Sequence, residues 1–130
     1  MQVKDCVLIE AFKCNEEESV VDVAKKLREY TLRHIFVVND EDYPVGLISV
    51  TDINNRIVAE GKNPNELKEK DIMTKPVDVI DESDDIKEVY KTMLEKNRVM
   101  NPVVKDKKIV GMITIHQLIK NIGVKQNETK

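Results

Sequence analysis

The chain says nearly the same thing twice, and this duplication constrains its fold more than any other feature. Gly46-Leu47-Ile48-Ser49-Val50 returns as Gly111-Met112-Ile113-Thr114-Ile115, and each copy runs into a helix-like stretch. Upstream, Val37-Val38 recurs 66 residues on as Val103-Val104, whereas the glycines lie 65 apart, so one residue is lost between them. The loss falls where Asn39 to Val45 is answered by Lys105 to Val110, the turn of a hairpin, where length changes are tolerated. Val20, Val23 and Leu27 recur as Ile86, Val89 and Met93, each set spaced as one apolar helix face. Ser19 with Asp22, and Asp85 with Glu88, supply capping-box-like starts to both faces. Asp5-Cys6-Val7 and Asp71-Ile72-Met73 extend the match to the start of each half. A unit this long that occurs only twice predicts two halves packed into one body, not a solenoid.

Composition narrows the classes of function. At 130 residues and 41% hydrophobic content the chain can bury one modest core. Its 24 acidic and 21 basic side chains nearly cancel, which leaves no electrostatic footprint for nucleic acid. The lysines at 25, 26, 68, 70, 105, 107 and 108 read as a solvated surface mixed with glutamate. No stretch has the length and apolarity of a membrane span, and Met1-Gln2-Val3-Lys4-Asp5 lacks a signal-peptide core, so a cytoplasmic protein with no membrane partner is expected. Cys6 and Cys14 occur only in the first half and are expected to be reduced thiols.

Each half reads as a short extended piece, an amphipathic helix, two strands joined by a turn, and a closing helix. In the first half these fall at about Ala11–Lys13, Ser19–Thr31, His34–Asn39, Val45–Ser49 and Thr51–Glu60. In the second they fall at Val77–Val79, Asp85–Lys96, Asn101–Lys105, Ile109–Thr114 and Ile115–Ile122. The expected division is a first repeat over 1–60, a linker over 61–70, a second repeat over 71–124, and a disordered tail over 125–130. Asn63 before Pro64 is a cap followed by a first-turn proline, which predicts a short helix inside the linker.

Taken in order, Asp71-Ile72-Met73-Thr74, Val77, the helix from Asp85, Asn101-Pro102-Val103-Val104 and Gly111-Met112-Ile113-Thr114 resemble the landmarks of a cystathionine β-synthase (CBS) domain, and the first half has the same series. The resemblance covers roughly residues 3 to 122, so the chain looks like a stand-alone tandem CBS pair with no attached enzyme or transporter. It implies an α+β (α/β-like) fold of two βαββα halves related by pseudo-two-fold symmetry, their small sheets face to face and their helices outside. It also implies a homodimer formed through those helices, and an adenosine-containing ligand held in a cleft between the halves.

Members of that family that bind AMP, ADP, ATP or S-adenosylmethionine often carry Gly, two apolar residues, Ser or Thr, two further residues and Asp. Gly46, Ser49 and Asp52 match it in the first half, with Thr51 as a further hydroxyl. A hydroxyl there can bond ribose or phosphate, and a carboxylate can accept from both ribose hydroxyls. The same residues can serve instead as a helix cap and a dipole partner. In the second half Gln117 stands for Asp52 and His116 for Thr51, so that site is weaker, altered or absent. Thr74, Val77, Asn101, Pro102 and Thr114 suit a purine wedge with a polar edge, and Ala11, Ile35 and Phe36 complete the candidate set. Kinase-type members of the family place a basic pair before the second strand. Here it is Arg33-His34 in the first half but Val99-Met100 in the second, which leaves room for a ligand less dependent on phosphate, such as S-adenosylmethionine.

No zinc spacing joins His34 or His116 to a cysteine, and no phosphate loop, nucleophile elbow or paired catalytic carboxylate appears. Neither a metal, a catalytic cofactor nor an enzymatic reaction is therefore expected. The reading is a regulatory module that binds an adenosyl compound and is read by a separate, unidentified protein. Its alternative is a ligand-free scaffold for dimerisation or docking.

Overall fold

The structure, a computed structural model, describes the backbone of residues 1–128 and the side chains of residues 1–123. Of the tail expected to be disordered over 125–130, residues 125–128 lie instead in the closing helix of the second repeat, and residues 129 and 130 fall outside those described. Two compact units make up the chain. The first is Phe12–Val77, and the second joins Met1–Ala11 to the chain from Asp78 onward.

In the first unit β1 (Lys13–Asn15), α1 (Val20–Glu29), β2 (His34–Val38), β3 (Pro44–Ser49) and α2 (Val50–Ile53) follow one another, and a short α3 (Glu69–Ile72) comes after the linker. The sheet order is β1-β2-β3. β1 pairs parallel to β2, which demands the α1 crossover, and β2 pairs antiparallel to β3 across a tight loop. The second unit repeats the plan with β4 (Ile80–Asp81), α4 (Ile86–Glu95), β5 (Met100–Lys105), β6 (Lys108–Thr114) and α5 (Ile115–Glu128), in the order β4-β5-β6. The chain is thus α+β, two small three-stranded mixed sheets each with its own helices.

The repeated sequence features do what their spacing predicts. Ser19 Oγ accepts from Asp22 N–H at 3.2 Å, and Asp85 Oδ2 accepts from the backbone N–H groups of Lys87 and Glu88, so both amphipathic helices are capped, though neither shows the reciprocal bond of a capping box. Val20, Val23 and Leu27 enter one core with Ile35, Val37 and Ile48, while Ile86, Val89 and Met93 enter another with Val103 and Ile113. Each helix is left through a residue at φ 54°, Thr31 in one unit and Asn97 in the other. The missing residue also has a cause. The β5–β6 hairpin turns on Asp106 and Lys107 alone, both at positive φ (50° and 65°), whereas β2–β3 uses a longer loop in which Asn39 Oδ1 accepts from Glu41 and Tyr43.

The opening segment of each repeat belongs with the sheet of the other. Ile9 bridges Met112, and Thr74 bridges Leu47. The duplicated glycines make these approaches possible. A Cβ on Gly46 would lie 2.5 Å from Met73 Sδ, and one on Gly111 would lie 3.1 Å from the Ile9 carbonyl oxygen. The compact units therefore differ from the sequential repeats 1–60 and 71–124.

Several elements differ from expectation, among them the closing helix of the second repeat, which runs to Glu128 where Ile122 was expected. β1 and β4 begin later than the extended pieces read at Ala11–Lys13 and Val77–Val79, because pairing to β2 and β5 starts at Lys13 and Ile80. The closing helix of the first repeat is α-helical only to Ile53 and continues as a π-turn over Asn54–Val58, with Ala59 N–H donating to the Asn54 carbonyl at 2.8 Å. The linker does contain the short helix announced by Asn63-Pro64, with Asn63 Oδ1 accepting from Asn65 N–H at 3.1 Å, and α3, which was not expected, follows it.

Candidate functional site

The sheet end formed by β2 and β3 gathers much of the predicted site. His34 pairs with Ser49 across the hairpin, and Val50 N–H donates to the Arg33 carbonyl at 2.9 Å. Arg33, His34, Ser49, Thr51 and Asp52 thus share one end of one sheet, with Arg33 and Thr51 exposed. Burial holds the His34 imidazole below its ordinary pKa, which favours its neutral form.

Asp52 already has work to do. Its Oδ2 accepts from Ser49 N–H at 2.9 Å while its own N–H donates to Ser49 Oγ at 3.0 Å, a reciprocal capping box. Its Oδ1 faces Arg56 Nη2 at 3.7 Å, and Arg56 Nη1 donates to the Ile72 carbonyl at 2.6 Å. Arg56 was not among the residues singled out by sequence, although a cation four residues beyond Asp52 on a helix is a legible partner. It links the Asp52 carboxylate to α3, and the same segment places Thr74 against Leu47. Thr74 is exposed and Val77 half-buried, and both belong to the first unit although they open the second repeat.

The second unit contains Ala11, Asn101, Pro102, Thr114, His116 and Gln117. Thr114 Oγ1 accepts from Gln117 N–H at 3.1 Å, so the cap survives here without its reciprocal half. Asn121 stands where Arg56 stands in the first repeat, and its Nδ2 donates to the Gln117 carbonyl at 2.8 Å. The equivalent of the Asp52–Arg56 pair is therefore a neutral, local contact.

Two candidates lie elsewhere than a single purine wedge requires. Ile35 is a core residue packed with Val20 and Ile48, on the helix-covered face of its sheet, while its neighbour Phe36 points to the other face. Asn101 occupies the matching position in the second unit, on the α4 side with Val103, so it faces away from Pro102. Strand alternation separates both pairs, and a count along the sequence alone did not register it.

A buried polar pair was also missed. Glu69, fully buried on α3, meets the thiol of Cys14 on β1 with its Oε1, and its Oε2 has no hydrogen-bond partner among the described residues. Burial raises the Glu69 carboxyl to about 8, and Glu18 nearby adds to the shift. Burial and the contact with Glu69 push the Cys14 thiol far above its usual range, so this cysteine is inert. Cys6 and Cys14 are both free. The signal was available, since Glu69 and Cys14 stand 66 residues from Val3 and Ile80.

Two matches to the CBS domain model, over residues 3–59 and 70–124, together take in most of the chain. The chain belongs to the CBS domain family. An uncharacterized protein of Methanopyrus kandleri is 34% identical over 103 residues, covering 78% of this chain and 53% of its own length. The mitochondrial CBS domain-containing protein CBSX3 of Arabidopsis thaliana is 26% identical over 114 residues, covering 84% of this chain and 55% of its own. The chain thus spans about half the length of these curated relatives. Among solved structures, the CBS domain pair of protein MJ0100, in complex with 5′-methylthioadenosine and S-adenosyl-L-methionine, is similar with a TM-score of 0.71. It is 26% identical and covers 96% of this chain and 98% of that one. The chain is accordingly a CBS pair, a regulatory type of module. Among the described residues no helix is long and apolar enough to cross a membrane, and no group of three or more His, Cys, Asp or Glu could hold a metal ion.

Proposed function

We propose that this CBS pair senses an adenosine-containing ligand and acts by binding, not by catalysis, with the β3–α2 corner of the first unit holding the ribose. The observation that carries the reading is the geometry of Asp52. Its side chain is 17% exposed, one oxygen is fixed by the capping box, and the other has only a loose ion pair to Arg56 at 3.7 Å. A carboxylate fixed in this way is oriented and still able to accept from two ribose hydroxyls. The likeness to a CBS pair solved with two adenosyl compounds supports the ligand class.

Phosphate recognition is thinly provided. Arg33 is one exposed cation beside His34, whose neutral form burial favours, and Val99 and Met100 replace them in the second repeat. This ranks S-adenosylmethionine and methylthioadenosine above AMP, ADP and ATP. A thermal-shift screen with these five compounds tests the proposal, because a ligand selective for the native state raises the melting temperature. Asp52→Asn should keep the cap acceptor and lose most of the shift. A screen with no shift at millimolar ligand would leave the dimerisation scaffold in place of the sensor. The homodimer is proposed through α1 and α2, where Val50 and Tyr30 are half-exposed beside an apolar groove that includes Leu32 and Ile53. Light scattering should give a dimer mass that falls to the monomer in Val50→Asp.

A further inference from the structure

Asn101 is a polar residue in an apolar place. It is 6% exposed, it stands where the first unit has the core residue Ile35, and its side-chain amide has no hydrogen-bond partner among the described residues. The amide therefore turns to the space beside it and not to a protein partner, whereas an isoleucine, as in the first unit, would offer no polar atom there. The amide borders a cavity of about 420 Å³ between α4 and β4, a volume that suits a small molecule.

The lining has two characters. Val79, Val89 and Met93 form an apolar wall, while Asp84, Asp85 and Glu88 supply carboxylates at the rim. Asp78 is already ion-paired, since Lys96 Nζ lies 3.3 Å and Arg98 Nε 3.0 Å from its oxygens. Asp84 and Asp85 bond only backbone N–H groups, apart from the chain's amino group 3.9 Å from Asp85, and Glu88 forms no ion pair among the described residues, so no side-chain cation among those residues is paired with them. The first unit fills the same positions differently. Phe12 and Tyr30 stack at 5.1 Å where Asp78 and Lys96 stand, and Lys26 bonds Glu18 at 3.2 Å where Thr92 and Asp84 stand.

We propose that this pocket of the second unit binds a small aliphatic amine, its nitrogen donating to Asn101 Oδ1 and Thr92 Oγ1, its methylene stem against Val79, Val89 and Met93, and any further ammonium group at the Asp84–Asp85–Glu88 rim. The rim repels anions, so phosphorylated ligands are excluded. The site is independent of the corner around Asp52.

Calorimetric titration of the whole chain with 1,4-diaminobutane and with spermidine, at constant ionic strength and pH 7, tests this. Saturable binding is expected at or below millimolar amine, with 1-butanol inert. Glu88→Gln should weaken binding about tenfold through loss of a charge-assisted contact. Asn101→Ile, which copies the first unit, should abolish binding while leaving the melting temperature unchanged or higher and any shift by S-adenosylmethionine intact. Absence of saturable binding, or binding unaltered in Asn101→Ile, would overturn the proposal. Should that variant fail to fold, unaltered binding in Thr92→Val would overturn it equally.

Discussion

The sharpest contrast in the molecule lies at equivalent positions of its two units. In the second, Val3 and Ile80 meet in an apolar core; in the first, the matching places are taken by Glu69 and Cys14, equally buried. The backbone does not register the change. Val3 N–H donates to the Asp84 carbonyl at 2.9 Å, and Glu69 N–H donates to the Glu18 carbonyl at 3.0 Å. Main-chain pairing therefore fixes the frame, and side chains of opposite character can be exchanged within it at a cost confined to their own protonation.

That cost is the largest effect open to measurement. The Glu69 carboxyl is raised to about 8 in the fold, against the ordinary 4.5 when unfolded, with Cys14, Glu18 and Lys26 as its titratable neighbours. Its contribution is fully present below the unfolded value and is lost as pH rises through the folded one, by on the order of 5 kcal/mol in total. Urea unfolding of the wild type should thus weaken between pH 5 and pH 9. Glu69→Gln and Glu69→Val should remove most of that slope, and a slope that survives both would show that the carboxyl ionises without penalty.

The glycines offer a second break in the symmetry. Gly111→Ala puts a methyl group against the Ile9 carbonyl and Leu8 Cβ, whereas Gly46→Ala mainly meets the flexible end of Met73. Overpacking should cost Gly111→Ala about 1–3 kcal/mol and Gly46→Ala less, read as denaturation midpoints; equal losses would contradict the asymmetry. Third, Asp52→Ala removes half of a capping box and should cost about 1 kcal/mol, while Gln117→Ala, with no reciprocal bond to lose, should cost a few tenths. At one further pair of equivalent positions, Tyr30→Ala loses an aromatic contact and about 1 kcal/mol, but Lys96→Ala breaks an exposed ion pair and should fall within 0.5 kcal/mol, vanishing in high salt.

Repeat spacing made the fold legible because the landmarks that recur, the apolar helix faces, the capping residues and the two glycines, are those the backbone needs. Ser19, Asp85, Gly46 and Gly111 all do what their spacing suggested. The candidate site was legible as a cluster around Ser49 and Asp52, and less so where strand alternation decides, as with Ile35 and Asn101. The contacts of Arg56 with Ile72 and of Glu69 with Cys14 bridge residues distant in sequence, so repeat spacing could flag these residues but not what they touch. The exchange of opening segments was likewise invisible, since a linear count assigns each segment to the repeat it precedes.

That exchange has a consequence for any attempt to halve the protein. A gene fragment encoding one repeat would carry an opening segment suited to a different sheet and would lack the one its own sheet needs. It could complete itself only by trading segments with another copy, in a domain-swapped pair whose stability rises with concentration. Joining the two copies in one chain makes that trade intramolecular, so the duplication supplies each sheet with its missing edge at any dilution.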